Sequence, residues 1–168
     1  MNISHDEFNP YYLPYIQLAE NQDIVLGLKE NVISVVDFYQ NIPSAKLEHA
    51  HAEGKWTPKD ILLHIIDTER VFVYRAMRIA RQDKTEMVGF EQDDYVDAGK
   101  ANNRTINSLI EEYKAVRNAT IVLFDSFSDE ELKSIGKANG SPVSVRAIGY
   151  IITGHENHHN NVIRERYL

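Results

Sequence analysis

Seven histidines occur in this chain, and three of them fall within the five residues His155-Glu156-Asn157-His158-His159. On a helix, H-E-x-x-H sets two zinc-binding imidazoles one turn apart with a Glu as the general base of a metallopeptidase. Whether that chemistry is available depends on which helix face each residue occupies. Val145, Ile148, Ile152, His155, His159 and Val162 step by 3, 4, 3, 4 and 3, which is one stripe of an α-helix whose other members are aliphatic. His155 and His159 are therefore expected to point inward together, one turn apart, as two ligands of one metal must. His158 and Glu156 each lie about 100° around the helix from a stripe histidine and should flank it.

A third histidine sits in an equally apolar setting. Ile61-Leu62-Leu63-His64-Ile65-Ile66 is hydrophobic on every side, the mark of a buried helix, and His64 should be buried with it. Two readings are open. Each histidine could be a core residue bonded to a neighbour, or all three could bind one divalent metal, which satisfies at once nitrogens that an apolar interior would otherwise strand. The coincidence of three favours the metal. The peptidase reading fails on the missing third ligand: only nine residues follow His159, with no His or Asp among them, and Glu165 is too near on the same helix. No strand is expected that could hold a peptide. Three neutral imidazoles leave coordination positions open, as catalytic sites do. Zn or Ni is the expected ion, with Mn or Fe as alternatives, since imidazole ligation does not choose among them. Asp67, at i+3 from His64, could orient a ligand or act as a base; it could equally be an ion-pair partner of Arg70 or Arg75. Glu69 reads as a partner for an arginine, Tyr74 as a core residue sharing the His64 stripe, and Trp56 as a packing anchor.

The elements that must position these residues are helices. Apolar periodicity marks segments from about Asn21 to Asn41, Pro58 to Arg81, Thr105 to Phe127 and Ser144 to Arg166. The second starts sharply: Thr57 is an N-cap, Pro58 fits the first turn, and Asp60 favours the positive helix end. Ser128-Asp129-Glu130-Glu131 is a capping box that should open one short turn. No segment alternates long enough to argue a strand, although Leu47 to Trp56 could be extended. The expectation is an all-α four-helix bundle, one domain over residues 1–168, with a long connection between the second and third helices.

Composition narrows the setting. The chain has no Cys, which excludes disulfides, thiolate metal sites and a thiol nucleophile of its own. A net charge of −7 argues against a nucleic-acid partner, which needs a basic footprint. No apolar run approaches a membrane span and no signal region opens the chain, so a cytoplasmic protein without a membrane partner is expected.

Trp56-Thr57-Pro58-Lys59-Asp60-Ile61-Leu62-Leu63-His64, Asp67-Thr68-Glu69, Gly89-Phe90-Glu91-Gln92-Asp93 and the terminal His155-x-x-x-His159 together resemble the DinB-like (YfiT-like) family. Asp60 stands where many relatives carry Glu. That resemblance implies a four-helix bundle holding one divalent metal through His64, His155 and His159, and members of the family often pair as homodimers. It also implies a small-molecule substrate and a low-molecular-weight thiol as co-substrate in transferase chemistry. Two alternatives stand beside it: a hydrolase that activates water, and a non-enzymatic metal-binding stress protein. The helix-2 arginines Arg70, Arg75, Arg78 and Arg81, with Arg146, offer cations for the carboxylates of an anionic thiol. A homodimer is also expected because the second helix is apolar on more sides than a lone bundle covers easily.

Overall fold

A computed structural model describes residues 3–19 and 23–168. Its four long helices are α2 (Ile24–Asn41), α3 (Pro58–Ala80), α5 (Ile106–Asp125) and α7 (Val145–Arg166). Shorter helices are α1 (Leu13–Gln17), α4 (Gln92–Gly99) and α6 (Asp129–Lys133). The expected start of the first long helix near Asn21 lies outside the described residues; Asp23 caps α2 by accepting from the Leu26 amide. Thr57 and Asp60 form a capping box at α3, Thr105 caps α5, Ser128 and Glu131 form a capping box at α6, and Ser144 caps α7. Each cap satisfies backbone donors that a helix start would leave bare. No helix among the described residues is long and apolar enough to cross a membrane.

α3 packs against α5 and α7, and α2 packs against the same two, so α2 and α3 lie diagonally across the bundle. Two apolar clusters fill it. One gathers Leu28, Phe72, Phe124 and Ile148; the other gathers Val35, Ile61, Leu62, Ile66, Tyr113 and Ile163. The order in which each helix meets the clusters makes α2 and α7 parallel to each other and antiparallel to α3 and α5. Between the clusters, buried Asn31, Glu69, Arg117 and Glu156, one from each long helix, form a hydrogen-bonded polar network.

Two sequence expectations are corrected. Residues 47–56 form no strand; a 3₁₀ turn at Ser44–Lys46 is followed by turns up to Thr57. Strands do occur elsewhere, as an antiparallel hairpin of β1 (Ile135–Ala138) and β2 (Ser141–Ser144). Its turn is Asn139-Gly140 with φ of +49° and +76°, the pair of left-handed residues that a tight hairpin needs. Met87 joins the hairpin edge, accepting from the Asn139 amide at 2.8 Å and donating to the Lys137 carbonyl at 3.1 Å. The connection from α3 to α5 is thereby tied down. It also covers α3: Leu63 packs where Gly99 leaves no room for a Cβ, and Ala101 joins the same cluster. All the aliphatic residues from Ile61 to Ile66 are buried within the single chain. The covering expected of a second subunit is supplied by the chain's own connection.

Candidate metal centre

α3 and α7 run antiparallel, and their facing stripes bring His64, His155 and His159 to one point. The Nε2 atoms of His64 and His155 are 3.1 Å apart, and those of His159 and His155 are 3.0 Å apart. Each histidine offers a nitrogen within 4.8 Å of the others. Metal–nitrogen bonds near 2.05 Å at tetrahedral angles separate ligand nitrogens by about 3.3 Å, so this donor set fits a divalent transition ion with shifts of a few tenths of an ångström. Burial makes the imidazoles poor proton carriers: it lowers the His64 pKa to about 4 and, with help from the neighbouring rings, that of His159 to about 3. His155, the most enclosed, is pushed well below the usual value by burial and then by His159 and His64. At neutral pH all three rings are neutral and present lone pairs, which is the form a metal requires.

Surrounding residues hold the rings. Thr68 Oγ1 lies 3.4 Å from His64 Nδ1, one turn along α3, where it can fix the tautomer that leaves Nε2 free. Trp56 packs on His64 with ring centroids 4.8 Å apart and reaches His159 at 6.5 Å. From the N-terminal segment, Tyr15 meets His155 edge-on at 5.3 Å. α1 can come this close because residue 154 is glycine: a Cβ there would sit 1.7 Å from the Tyr15 carbonyl oxygen. The histidines floor a cavity of about 270 Å³, walled by Tyr11, Tyr12, Trp56, Phe72, Arg75 and Phe90 among others.

The remaining candidates go elsewhere. Asp67 accepts from Arg70 at 3.1 Å and is not part of the cavity wall. Glu156, the would-be base of the H-E-x-x-H pattern, is fully buried on another face of α7. There its oxygens receive Arg117 at 2.9 and 2.7 Å, Asn31 at 2.6 Å and Tyr113 at 2.9 Å. Glu69 does find an arginine: Arg117 donates to it twice, both at 2.9 Å. His158 is half-buried and packs against Tyr15 at 5.2 Å, flanking the cluster. Tyr74 is 53% exposed and lies against Arg78, so it belongs neither to the core nor to the cavity. Trp56 proves to be part of the cavity wall as well as an anchor. Sequence reasoning missed the N-terminal tyrosines, Thr68 and Arg117. The i+4 spacing from His64 marks Thr68, and the stripe Ile110, Tyr113, Arg117, Thr120, Phe124 marks Arg117 as an inward cation.

The sequence model of the DinB superfamily matches residues 34–163. This chain belongs to the DinB superfamily. Its fold resembles that of YfiT from Bacillus subtilis, with a TM-score of 0.71 over 98% of this chain and 90% of that one, at 12% identity. YfiT is described as "a probable metal-dependent hydrolase with an unusual four-helix bundle topology". No curated protein sequence matches the chain.

Proposed function

We propose that this DinB-superfamily protein is a divalent-metal-dependent enzyme acting on a small molecule, with His64, His155 and His159 as the metal ligands. The observation that carries this is the convergence of three neutral imidazole nitrogens on the floor of a cavity. A divalent ion held there supplies Lewis acidity, which lowers the pKa of a thiol or water brought beside it. The chain's own groups do the positioning. Thr68 orients His64, Trp56 and Tyr15 hold the rings from two sides, and Phe72 and Phe90 give the substrate an apolar wall.

Transfer of a low-molecular-weight thiol is the first reading. A sulfur–carbon bond forms to an electrophile, the bond to its leaving group breaks, and the thiol proton passes to solvent. Two features support it. The chain has no Cys, so the sulfur must come from outside. And the only acid among the described residues lining the cavity is the exposed Glu91, while Asp67 and Glu156 are held by arginines. A thiol gives up its proton to solvent without a positioned base, whereas hydrolysis gains most from having one. Hydrolysis is the second reading, favoured by the fold shared with YfiT. The test loads chelated protein with Zn or Ni, then supplies glutathione, bacillithiol or mycothiol with a chromogenic electrophile. Metal-dependent, thiol-dependent turnover that disappears in His155→Ala supports transfer. Thiol-independent cleavage of a chromogenic ester or amide, lost in the same variant, decides for hydrolysis.

A further inference from the structure

Four residues of α3 face the cavity: His64, Thr68, Phe72 and Arg75. Arg75 differs from the arginines around it. Arg70 pairs with Asp67 and Glu112, Arg78 with Asp83, Arg81 with Glu131, and Arg146 with Glu7. Arg75 is 5% exposed, yet no carboxylate among the described residues reaches it. Its one hydrogen bond among the described residues runs from Nη2 to the Val88 carbonyl at 2.8 Å, and its guanidinium lies 5.6 Å from the Phe72 ring centroid. A guanidinium has five N–H donors in a planar fork, and Arg75 is part of the cavity wall. Glu91, on the exposed rim, does not pair with it. An acidic chain has thus kept a buried cation with no carboxylate partner among the described residues, at the edge of the histidine cavity. Buried cations ordinarily have a partner, because an uncompensated charge is costly to desolvate.

We propose that the missing partner is the ligand: Arg75 binds the carboxylate or phosphate of a small molecule whose reacting end lies at the three histidines. The second half of this statement rests on the metal-centre reading above; the first does not. Arg75 follows His64 by eleven residues, about 16 Å along a helix. Helical side chains lean toward the N-terminus, His64 as well as Arg75, so the longer guanidinium arm shortens that separation only in part. The ligand is therefore an elongated anion with its charged and reactive groups at opposite ends. Asn139 at the hairpin turn and Gln92 at the start of α4 add neutral donors to the same wall.

The chain's sole tryptophan, Trp56, lines this cavity and reports its occupancy by fluorescence. Inorganic phosphate and glutarate are titrated separately at constant ionic strength, into protein as purified and again after chelation. The chelated arm removes any anion bound by a metal, so a failure at Arg75 leaves the histidine assignment standing, and the reverse also holds. Saturable binding at millimolar concentration or below is expected, weakened at least tenfold in Arg75→Gln and unchanged in the exposed Arg70→Gln. The arm that binds more tightly tells phosphate from carboxylate. Arg75→Lys keeps the charge but loses the fork, and should weaken binding at least threefold; it decides the matter should Arg75→Gln fail to fold. Absence of saturation in the wild type, or an unchanged affinity in the Arg75 variants, overturns the proposal.

Discussion

Replacing Arg117 with Met should destabilise the fold more than any other single change in the polar layer. Arg117 is fully buried, and among the described residues it is the only cation paired with two buried carboxylates, Glu69 and Glu156. Breaking one buried ion pair by removing a partner costs about 3–5 kcal/mol. Here the loss strands two carboxylates unequally. Glu156 keeps Asn31 and Tyr113 as donors, whereas the bonds found for Glu69 both come from Arg117. The expected loss is therefore at the top of that range, about 5 kcal/mol, a large part of the 5–15 kcal/mol that holds a typical domain together. Glu156→Gln leaves Arg117 bound twice to Glu69 and should cost about 1–2 kcal/mol. The pH dependence separates electrostatics from packing. Burial already raises the Glu156 pKa, against the opposing pull of Arg117. Without that cation Glu156 should titrate further above its unfolded value, so the folded state binds a proton more tightly than the unfolded state. The stability lost at neutral pH should then return in part as pH falls through the raised value toward the ordinary carboxylate range. Urea unfolding of the two variants from pH 7 to pH 5 measures this. A loss below about 1 kcal/mol in Arg117→Met, or one that does not shrink on acidification, refutes the reasoning.

Gly154→Ala should force α1 off α7, because its Cβ would meet the Tyr15 backbone; a cost of about 1–3 kcal/mol in urea unfolding and easier proteolysis before residue 19 are expected. Asp67→Asn and Glu156→Gln should both retain bound metal, since neither carboxylate faces the histidines; elemental analysis showing loss from either would return that residue to the site. Homodimerisation is retained as a proposal resting on exposed apolar side chains such as Leu26 and Ile33 of α2 and Val122 of α5, since the Ile61 to Ile66 stretch of α3 is already covered. Sedimentation velocity should show twice the 19.3 kDa chain mass, and a monomer at micromolar concentration would remove the proposal.

What could be read in advance was whatever local chemistry determines. Thr57 and Ser144 mark helix starts through their own hydrogen bonds, Pro58 does so through its fixed φ, and the long helices fall within a few residues of their expected bounds. The His155 and His159 stripe is a property of one helix, so its inward face was visible without knowing what lay opposite. The hairpin was not, because four-residue strands are too short for alternation to show, although Asn139-Gly140 is a recognised turn signal. The cavity wall was hidden for a different reason. Tyr15 reaches His155, and Tyr11 and Tyr12 reach the cavity, only because the N-terminal segment packs on α7, a contact across well over a hundred residues. Arg75 looked like its neighbours on α3; only the ion pairs made by Arg70, Arg78 and Arg81 set it apart. The same long-range view moved Asp67 away from the site and placed Glu156 under Arg117.

The central claim is that His64, His155 and His159 hold one divalent metal. Elemental analysis of protein purified without a metal-affinity tag tests it most directly, on the wild type and on four single His→Ala variants. The account predicts about one divalent ion per chain, most of it lost in His64→Ala, His155→Ala and His159→Ala and kept in His158→Ala. Metal-free wild type that also fails to take up Zn or Ni, or equal loss of metal from His158→Ala, would contradict it.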